Sequence, residues 1–390
     1  MSVAAAPVAT FAAAGPRYCL CTLSFQAACA PVKYTNGDKS VLNHAKYGPV
    51  ERWADLRFDK GMELMKAVLK LDRRAMVDIC QMDDDVRRLI VVGNGFDLYH
   101  HLDTEYSNYK QWLELNDPWV LREFESFPYL CLCGGDAPWG DLESALQLFW
   151  DDLCSEALEN TYPNMMDDNP GWDDFGAELE SELQFLKAFT RVRFCEWVKS
   201  IDVGSARRML RLPSNAAYVT FNYTPTLECV YGVDPSLILH IHGSVLNEGV
   251  PLQFGSPEND PQAVMAQLKR RYELDEFYGA TIESGVNVVG GGCANVWKNI
   301  YGNYGELESF LGRFERIETV SVMGNRYDKV DAPYYLDVIG PSLRDAEWVF
   351  FERNTANGDK MRAAGERAER FCGRLGIERY RVTRYRDLAL

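Results

Sequence analysis

The residues whose types and spacing could do chemistry sit at four short turns. They are Gly93-Asn94-Gly95 in RLIVVGNGFDLYHHLDTEY, Asn222 in VTFNYT, His242 in LILHIHGSV and Gly324-Asn325 in VMGNRYDKVDAPYY. A histidine at a strand end, followed by Gly243, is well placed to act as a general base near neutral pH. His242 is therefore the first catalytic candidate. His240 lies two residues earlier, on the same face of an extended strand, and reads as a packed or supporting residue. Such a pair could chelate a metal, but no third ligand is evident and no metal is expected. Asn222, with Thr220 before it and Tyr223 after it, projects from a strand end, where a buried amide must be hydrogen-bonded. It is the second catalytic candidate.

Gly93 and Gly95 permit close approach of backbone N–H groups to a phosphate. The third glycine of a dinucleotide fingerprint is missing, because Leu98 stands there, and a tight turn without ligand is the plainer alternative. Asp97 could cap the following helix or bond a ribose hydroxyl. His100 and His101 would point about 100° apart on a helix, so only one can face a site, and His100 is an additional candidate. Asp331 could cap a helix that carries Tyr334 and Tyr335.

Buried strands must place these turns. Apolar runs predict them at 87–93, 217–222, 237–243, 319–324, 347–352 and 379–385. Helical patterns lie between. One starts at Thr104 as a candidate cap, one spans GDLESALQLFWDDLCSEALE, and one spans FGAELESELQFLKAFTRVRFCEWVKSI. Others fit 261–276, 304–316, 331–343 and 358–375. The first two strands are about 125 residues apart, with only helical patterns between them. The fold class is thus α/β, a Rossmann-like, mostly parallel sheet with a large helical insertion over about 100–215. Such sheets bind ligands at the carboxyl ends of their strands, where all four turns fall. Residues 81–390 form this α/β domain, and residues 1–80 a poorly defined extension that is Ala-rich at its start and carries one amphipathic stretch, GMELMKAVLKLDRRAMVDI.

Composition narrows the function. Forty-one Lys and Arg against 57 Asp and Glu give a net charge of -16, which argues against a broad nucleic-acid face. A nucleotide site built from backbone N–H groups is indifferent to that charge. Eleven cysteines include no CxxC pair, only Cys19/Cys21 and Cys131/Cys133 at CxC spacing, which fits a reducing compartment. The chain has no apolar run long enough to span a bilayer and no basic region ahead of its apolar start, so a cytoplasmic location is expected.

The motifs LIVVGNGFDLYHHLDTEY, WGDLE, FNYTPTLECVYG, HIHGS, FGSPENDP and VMGNRYDKVDAPYY, in that order, resemble the AbiH family of bacterial abortive-infection proteins. The likeness covers about 88–345, and Trp139, Asp141 and Glu143 match the family's Trp-x-Asp-x-Glu. The chain departs from the pattern at His101, where a small residue is usual, and at GNRYD, where Gly-His-Ser is more frequent. More distantly, the order is similar to that of sirtuins and sirtuin-like NAD hydrolases, without the zinc cysteines of the deacylases. The resemblance implies an anti-phage effector that binds a nucleotide, NAD favoured, and hydrolyses its nicotinamide–ribose bond. Gly93, Asn94, Gly95, Asp97, Thr220, Gly243, Gly324 and Asn325 would hold the cofactor, and Asn222 and His242 would be catalytic. Glu143, His100, Tyr223 and Asp331 are further candidates, Glu143 as a carboxylate near the developing cation. Expected partners are the nucleotide, a phage-derived trigger or partner protein, and further copies of the chain. A nucleotide-sensing module without turnover is the alternative. A nuclease would need a metal-binding carboxylate pair and a basic groove, which the sequence lacks.

Overall fold

The computed structural model describes residues 85–127, 137–148, 150–160, 174–247, 249–272, 279–327, 330–353 and 358–388. The expected N-terminal extension, its amphipathic stretch and both CxC pairs lie outside the described residues. Six strands form one sheet: β1 (Arg88–Val92), β2 (Ala216–Thr220), β3 (Ile238–His240), β4 (Thr319–Met323), β5 (Glu347–Glu352) and β6 (Tyr380–Arg384). Every pairing is parallel, in the order β3-β2-β1-β4-β5-β6. This is the Rossmann-like α/β fold. The order reverses between β1 and β4, and a crevice opens there at the strands' carboxyl ends.

Burial on both faces explains the continuous apolar runs. Leu89 and Val91 face one layer, with Val219, Val320, Val322 and Trp348. Ile90 and Val92 face the other, with Tyr218, Met323 and Phe96. The insertion builds a third core around Tyr109, Phe124, Trp139, Phe189 and Phe194.

Between β1 and β2 the regular elements among the described residues are helical. They comprise α1 (Asn94–Tyr99), α2 (Tyr106–Asn116), α3 (Pro118–Ser126), a short turn Ala137–Gly140, α4 (Leu142–Ala145), α5 (Trp150–Asn160), α6 (Asp174–Lys187) and α7 (Phe194–Ser200). A π-helical turn, Ala188–Arg193, joins α6 to α7. Thr104 does not cap α2. Glu105 does, in a capping box with Asn108. The single helix expected over 140–159 is broken after Ala145. Buried Asn259 takes the freed Leu146 carbonyl at 2.6 Å and accepts from the Trp150 indole at 3.2 Å, so a side chain from outside the insertion replaces helical bonds.

Beyond β2 come α8 (Thr226–Tyr231), α9 (Pro261–Tyr272), α10 (Gly279–Val296), α11 (Tyr304–Leu311) and α12 (Gly358–Leu375). The helix expected over 331–343 is mostly a second π-helical turn, Tyr334–Ile339. Helix α10 was not expected, since GVNVVGGGC has poor helix propensity. Packing overrides that propensity. A Cβ at Gly285 would lie 1.9 Å from the Phe175 ring, one at Gly290 would lie 2.4 Å from Met265 Sδ, and one at Gly292 would lie 2.7 Å from Leu183. The glycines let α10 lie close between α6 and α9.

Candidate functional site

A cavity of about 900 Å³ opens where the strand order reverses. Its floor comes from the ends of β1, β2 and β4 and from the turn after β3, and its far wall from the insertion. Of the residues singled out in the sequence, the cavity brings together Asn94, Asp97, Glu143, Asn222, Tyr223, His242, Gly324, Asn325 and Asp331. Gly93, Gly95, His100, Thr220 and Gly243 do not line it.

The glycine turn is shaped by the protein itself. Gly93 N–H donates to the Met323 carbonyl at 3.0 Å, and Gly95 N–H to the Gly324 carbonyl at 2.9 Å. A Cβ on Gly93 would come within 2.6 Å of Asn325 Cα, and one on Gly95 within 2.7 Å of Gly324 Cα. These two glycines let the β1 turn pack against the β4 turn, and their N–H groups do not face the cavity. The N–H groups of Gly93 and Gly95 are thus taken up by the β4 turn, while Asn94 lines the cavity.

Asn222 braces the same turn. Its Nδ2 donates to the Gly93 carbonyl at 3.1 Å, and its N–H to Thr220 Oγ1 at 3.1 Å. Thr220 is therefore a supporting residue inside the turn. His240 binds the Asn222 carbonyl at 3.1 Å and Glu228 at 2.8 Å, which fixes the turn from below. The strand ends at His240, so strand alternation does not carry on to His242, and the two imidazoles have different surroundings. His100 is satisfied elsewhere, by the Phe96 carbonyl at 2.7 Å and Tyr231 Oη at 2.5 Å.

Asp97 neither caps a helix nor reaches solvent. It lies within α1 at 1% exposure, with Oδ2 accepting from the Thr224 hydroxyl and Oδ1 without a partner. Burial raises its pKa from 3.8 to about 6, against the opposing hydrogen bond of Thr224.

His242 is 1% exposed, and neither ring nitrogen has a hydrogen-bond partner. Phe221, Tyr223 and Tyr334 surround the ring, at centroid distances of 5.3, 6.4 and 5.6 Å. Burial, then the nearby Lys298 ammonium, holds its pKa well below the ordinary imidazole value. It is therefore a neutral imidazole with both nitrogens unused. A buried orphan of this kind is rare, and a ligand would satisfy it.

Sequence reasoning missed Lys298. Its ammonium is 1% exposed and donates to both oxygens of Glu143, at 2.9 and 3.0 Å, and to Asp331 Oδ1 at 3.2 Å. Asp331 also accepts from Asn325 at 3.1 Å and lies 3.9 Å from His242 Nε2. Its side chain is spent on this cluster rather than on capping. Burial depresses the lysine, but Asp331 and Glu143 outweigh that and raise its pKa, so it stays charged. Burial raises Glu143, with Lys298 opposing. Tyr223 Oη approaches Glu143 at 3.5 Å and donates to the Gln253 carbonyl at 2.9 Å. Tyr106, Trp139, Phe194 and Trp197 add an aromatic wall from the insertion, while Arg326 and Arg353 lie past the ends of β4 and β5. A lone lysine after an apolar pair, in ANVWKNIYG, carries no local signal of this role. Among the described residues no group of three or more His, Cys, Asp and Glu could hold a metal ion. Among them, too, no helix is long and apolar enough to cross a membrane.

The cavity can thus hold a ligand of nucleotide size between an aromatic, acidic wall and two arginines, with an unused imidazole and an unused carboxylate oxygen on its floor. No curated protein matches the chain. The family model described as "Bacteriophage abortive infection AbiH" matches residues 89–352, which include all but one of the residues named above as lining the cavity, and the chain belongs to that family.

Proposed function

We propose that this chain is an abortive-infection effector that binds a nucleotide, NAD favoured, in the cavity and hydrolyses its nicotinamide–ribose bond. The observation that carries the reading is His242: buried, neutral, with neither nitrogen bonded, beside a cavity at the crevice where Rossmann-like sheets take nucleotides. In the reaction the C1′–N bond breaks and its electron pair returns to the nicotinamide ring. Water then adds to C1′, and its proton passes to His242. The products are ADP-ribose, nicotinamide and a proton. Asn222 acts by holding the β1 turn that shapes the floor, through its bond to Gly93. Asp97 Oδ1 accepts a ribose hydroxyl, and Arg326 and Arg353 meet the pyrophosphate in place of the glycine turn. The similarity to sirtuin-like NAD hydrolases belongs to this proposal and stands or falls with it. NAD loss would halt an infected cell, and a phage-derived trigger would set it off.

A second reading, a nucleotide-sensing module without turnover, fits the same bonding. Gly93, Gly95, Asn222 and Lys298 are all bonded within the protein, which suits a stable receptor as well as an enzyme. Mass-spectrometric NAD turnover by purified protein, with and without phage-infected lysate, separates the two. Nicotinamide release that His242→Ala and Asn222→Ala abolish supports hydrolysis. Bound NAD without turnover in either condition supports sensing, and no binding of any nucleotide removes both.

A further inference from the structure

The Glu143–Lys298–Asp331 cluster has two carboxylates for one ammonium. Lys298 donates to both Glu143 oxygens, which fits an ionised carboxylate. One negative charge is left over, in a place where unpaired buried charge is costly. Asp141 adds to the negative field at Glu143. The cluster alone would be only a structural clasp between the insertion and the sheet. A separate observation points to a ligand. His242, 3.9 Å from Asp331, lines the same cavity with both nitrogens orphaned. The Tyr223 ring joins the two, with its hydroxyl toward Glu143 and its centroid 6.4 Å from the imidazole. Tyr106 and Phe194 line the cavity on the same side as Glu143, the insertion. The nearby cation Lys110 has its pairing with Glu125, at 2.8 Å and away from Glu143, and lies 5.7 Å from the centroid of the Trp139 ring. Arg326 and Arg353 stand on the sheet side. The cavity is therefore polarised, carboxylate-rich and aromatic at its Glu143–Asp331 end and positive past β4 and β5.

We infer that the Glu143–Lys298–Asp331 end of the cavity is a subsite for a positively charged planar ring, so that the chain selects the oxidised pyridinium form of a nicotinamide dinucleotide over the reduced dihydropyridine form. The inference rests on the nucleotide reading above. A cationic ring offsets the surplus carboxylate charge and lies against aromatic faces. A neutral dihydropyridine does neither. Glu143 and Asp331 are then residues that set specificity through charge.

The test is calorimetric binding of carbocyclic NAD, whose nicotinamide bond cannot be hydrolysed, in its oxidised and reduced forms. The two differ only in the nicotinamide ring, in its charge and aromaticity. A charge interaction across a partly desolvated cavity should favour the oxidised form by on the order of tenfold. Glu143→Gln and Asp331→Asn, each removing a charge while keeping shape, should bring the ratio toward unity. Equal binding of both forms by the unaltered chain overturns the inference and leaves the nucleotide reading standing. A preference that persists in both variants also overturns it. Binding of neither form sinks both. Should a variant fold poorly, the ratio measured on the unaltered chain still tests the inference.

Discussion

Asp97→Asn should stabilise the protein above pH 6 and not below about pH 4. The Asp97 carboxyl has a folded-state pKa of about 6, against 3.8 when unperturbed, because burial penalises its charged form. A folded pKa above the unfolded one means that the native state binds the proton more tightly. Below 3.8 both states are protonated and nothing is lost. Between 3.8 and about 6 the native state must either keep a proton that the unfolded state releases or bury a charge, so stability falls as pH rises. The gap, at about 1.4 kcal/mol per pH unit, amounts to roughly 3 kcal/mol above pH 6. Asparagine preserves the shape and an acceptor for the Thr224 hydroxyl, and it removes the charge. Its amide needs a partner of its own, which cuts the gain by about 1 kcal/mol. The expected gain is therefore about 2 kcal/mol at pH 7.5. Urea midpoints of both proteins at pH 4, 5, 6 and 7.5, with slopes compared, would measure it. At pH 4 the gain should be gone and the variant slightly the less stable, since the amide cost of about 1 kcal/mol remains. A variant that is less stable at pH 7.5, by an amount independent of pH, would refute the reasoning, since Asp97 would then hold its charge through a favourable native partner. The same variant should bind NAD more weakly if Oδ1 accepts a ribose hydroxyl, so that stability and function move in opposite directions.

Lys298→Met should cost about 3–5 kcal/mol at pH 8, because it strands two buried carboxylates. The loss should shrink as pH falls, because burial raises the Glu143 pKa and that carboxyl takes up a proton first, and denaturation over a pH series checks it. Gly95→Ala drives a Cβ to 2.7 Å from Gly324 Cα and should lower stability by about 1–3 kcal/mol, read from thermal unfolding. Gly365→Ala, on α12 with open space around it, is the matched control and should be neutral or slightly stabilising. If the chain hydrolyses NAD as proposed, His240→Ala, which removes the brace between Asn222 and Glu228, should raise KM more than it lowers kcat.

The sheet was legible in the sequence because its inner strands β1, β2 and β4 are local apolar runs, and burial on both faces leaves no other use for such a run. Parallel strands also bring their carboxyl ends to one edge. GNG, FNYT, HIHG and GN could therefore be assigned to one site before any contact was known. Roles within the site were less legible. Gly93 and Gly95 looked like a phosphate cradle, and the same two glycines also serve a turn pressed against β4. Thr104 looked like a cap, and the adjacent Glu105 does the capping. The local pattern allows either member of each pair, and only the neighbouring segment decides.

What the sequence by itself determined is the α/β class, the strand ends and the family, since each depends on short runs of residues and their order. Tertiary structure alone decided the surroundings of those residues. Glu143, Lys298 and Asp331 are 155 and 33 residues apart along the chain, and they meet because the insertion, the segment after α10 and the β4 turn converge on one cavity. Helix α10 forms for the same kind of reason, as its glycines gain close packing that offsets poor propensity. Burial then sets the charge states. It leaves His242 neutral and Asp97 close to its midpoint near pH 6, and neither property is written in the residues beside them.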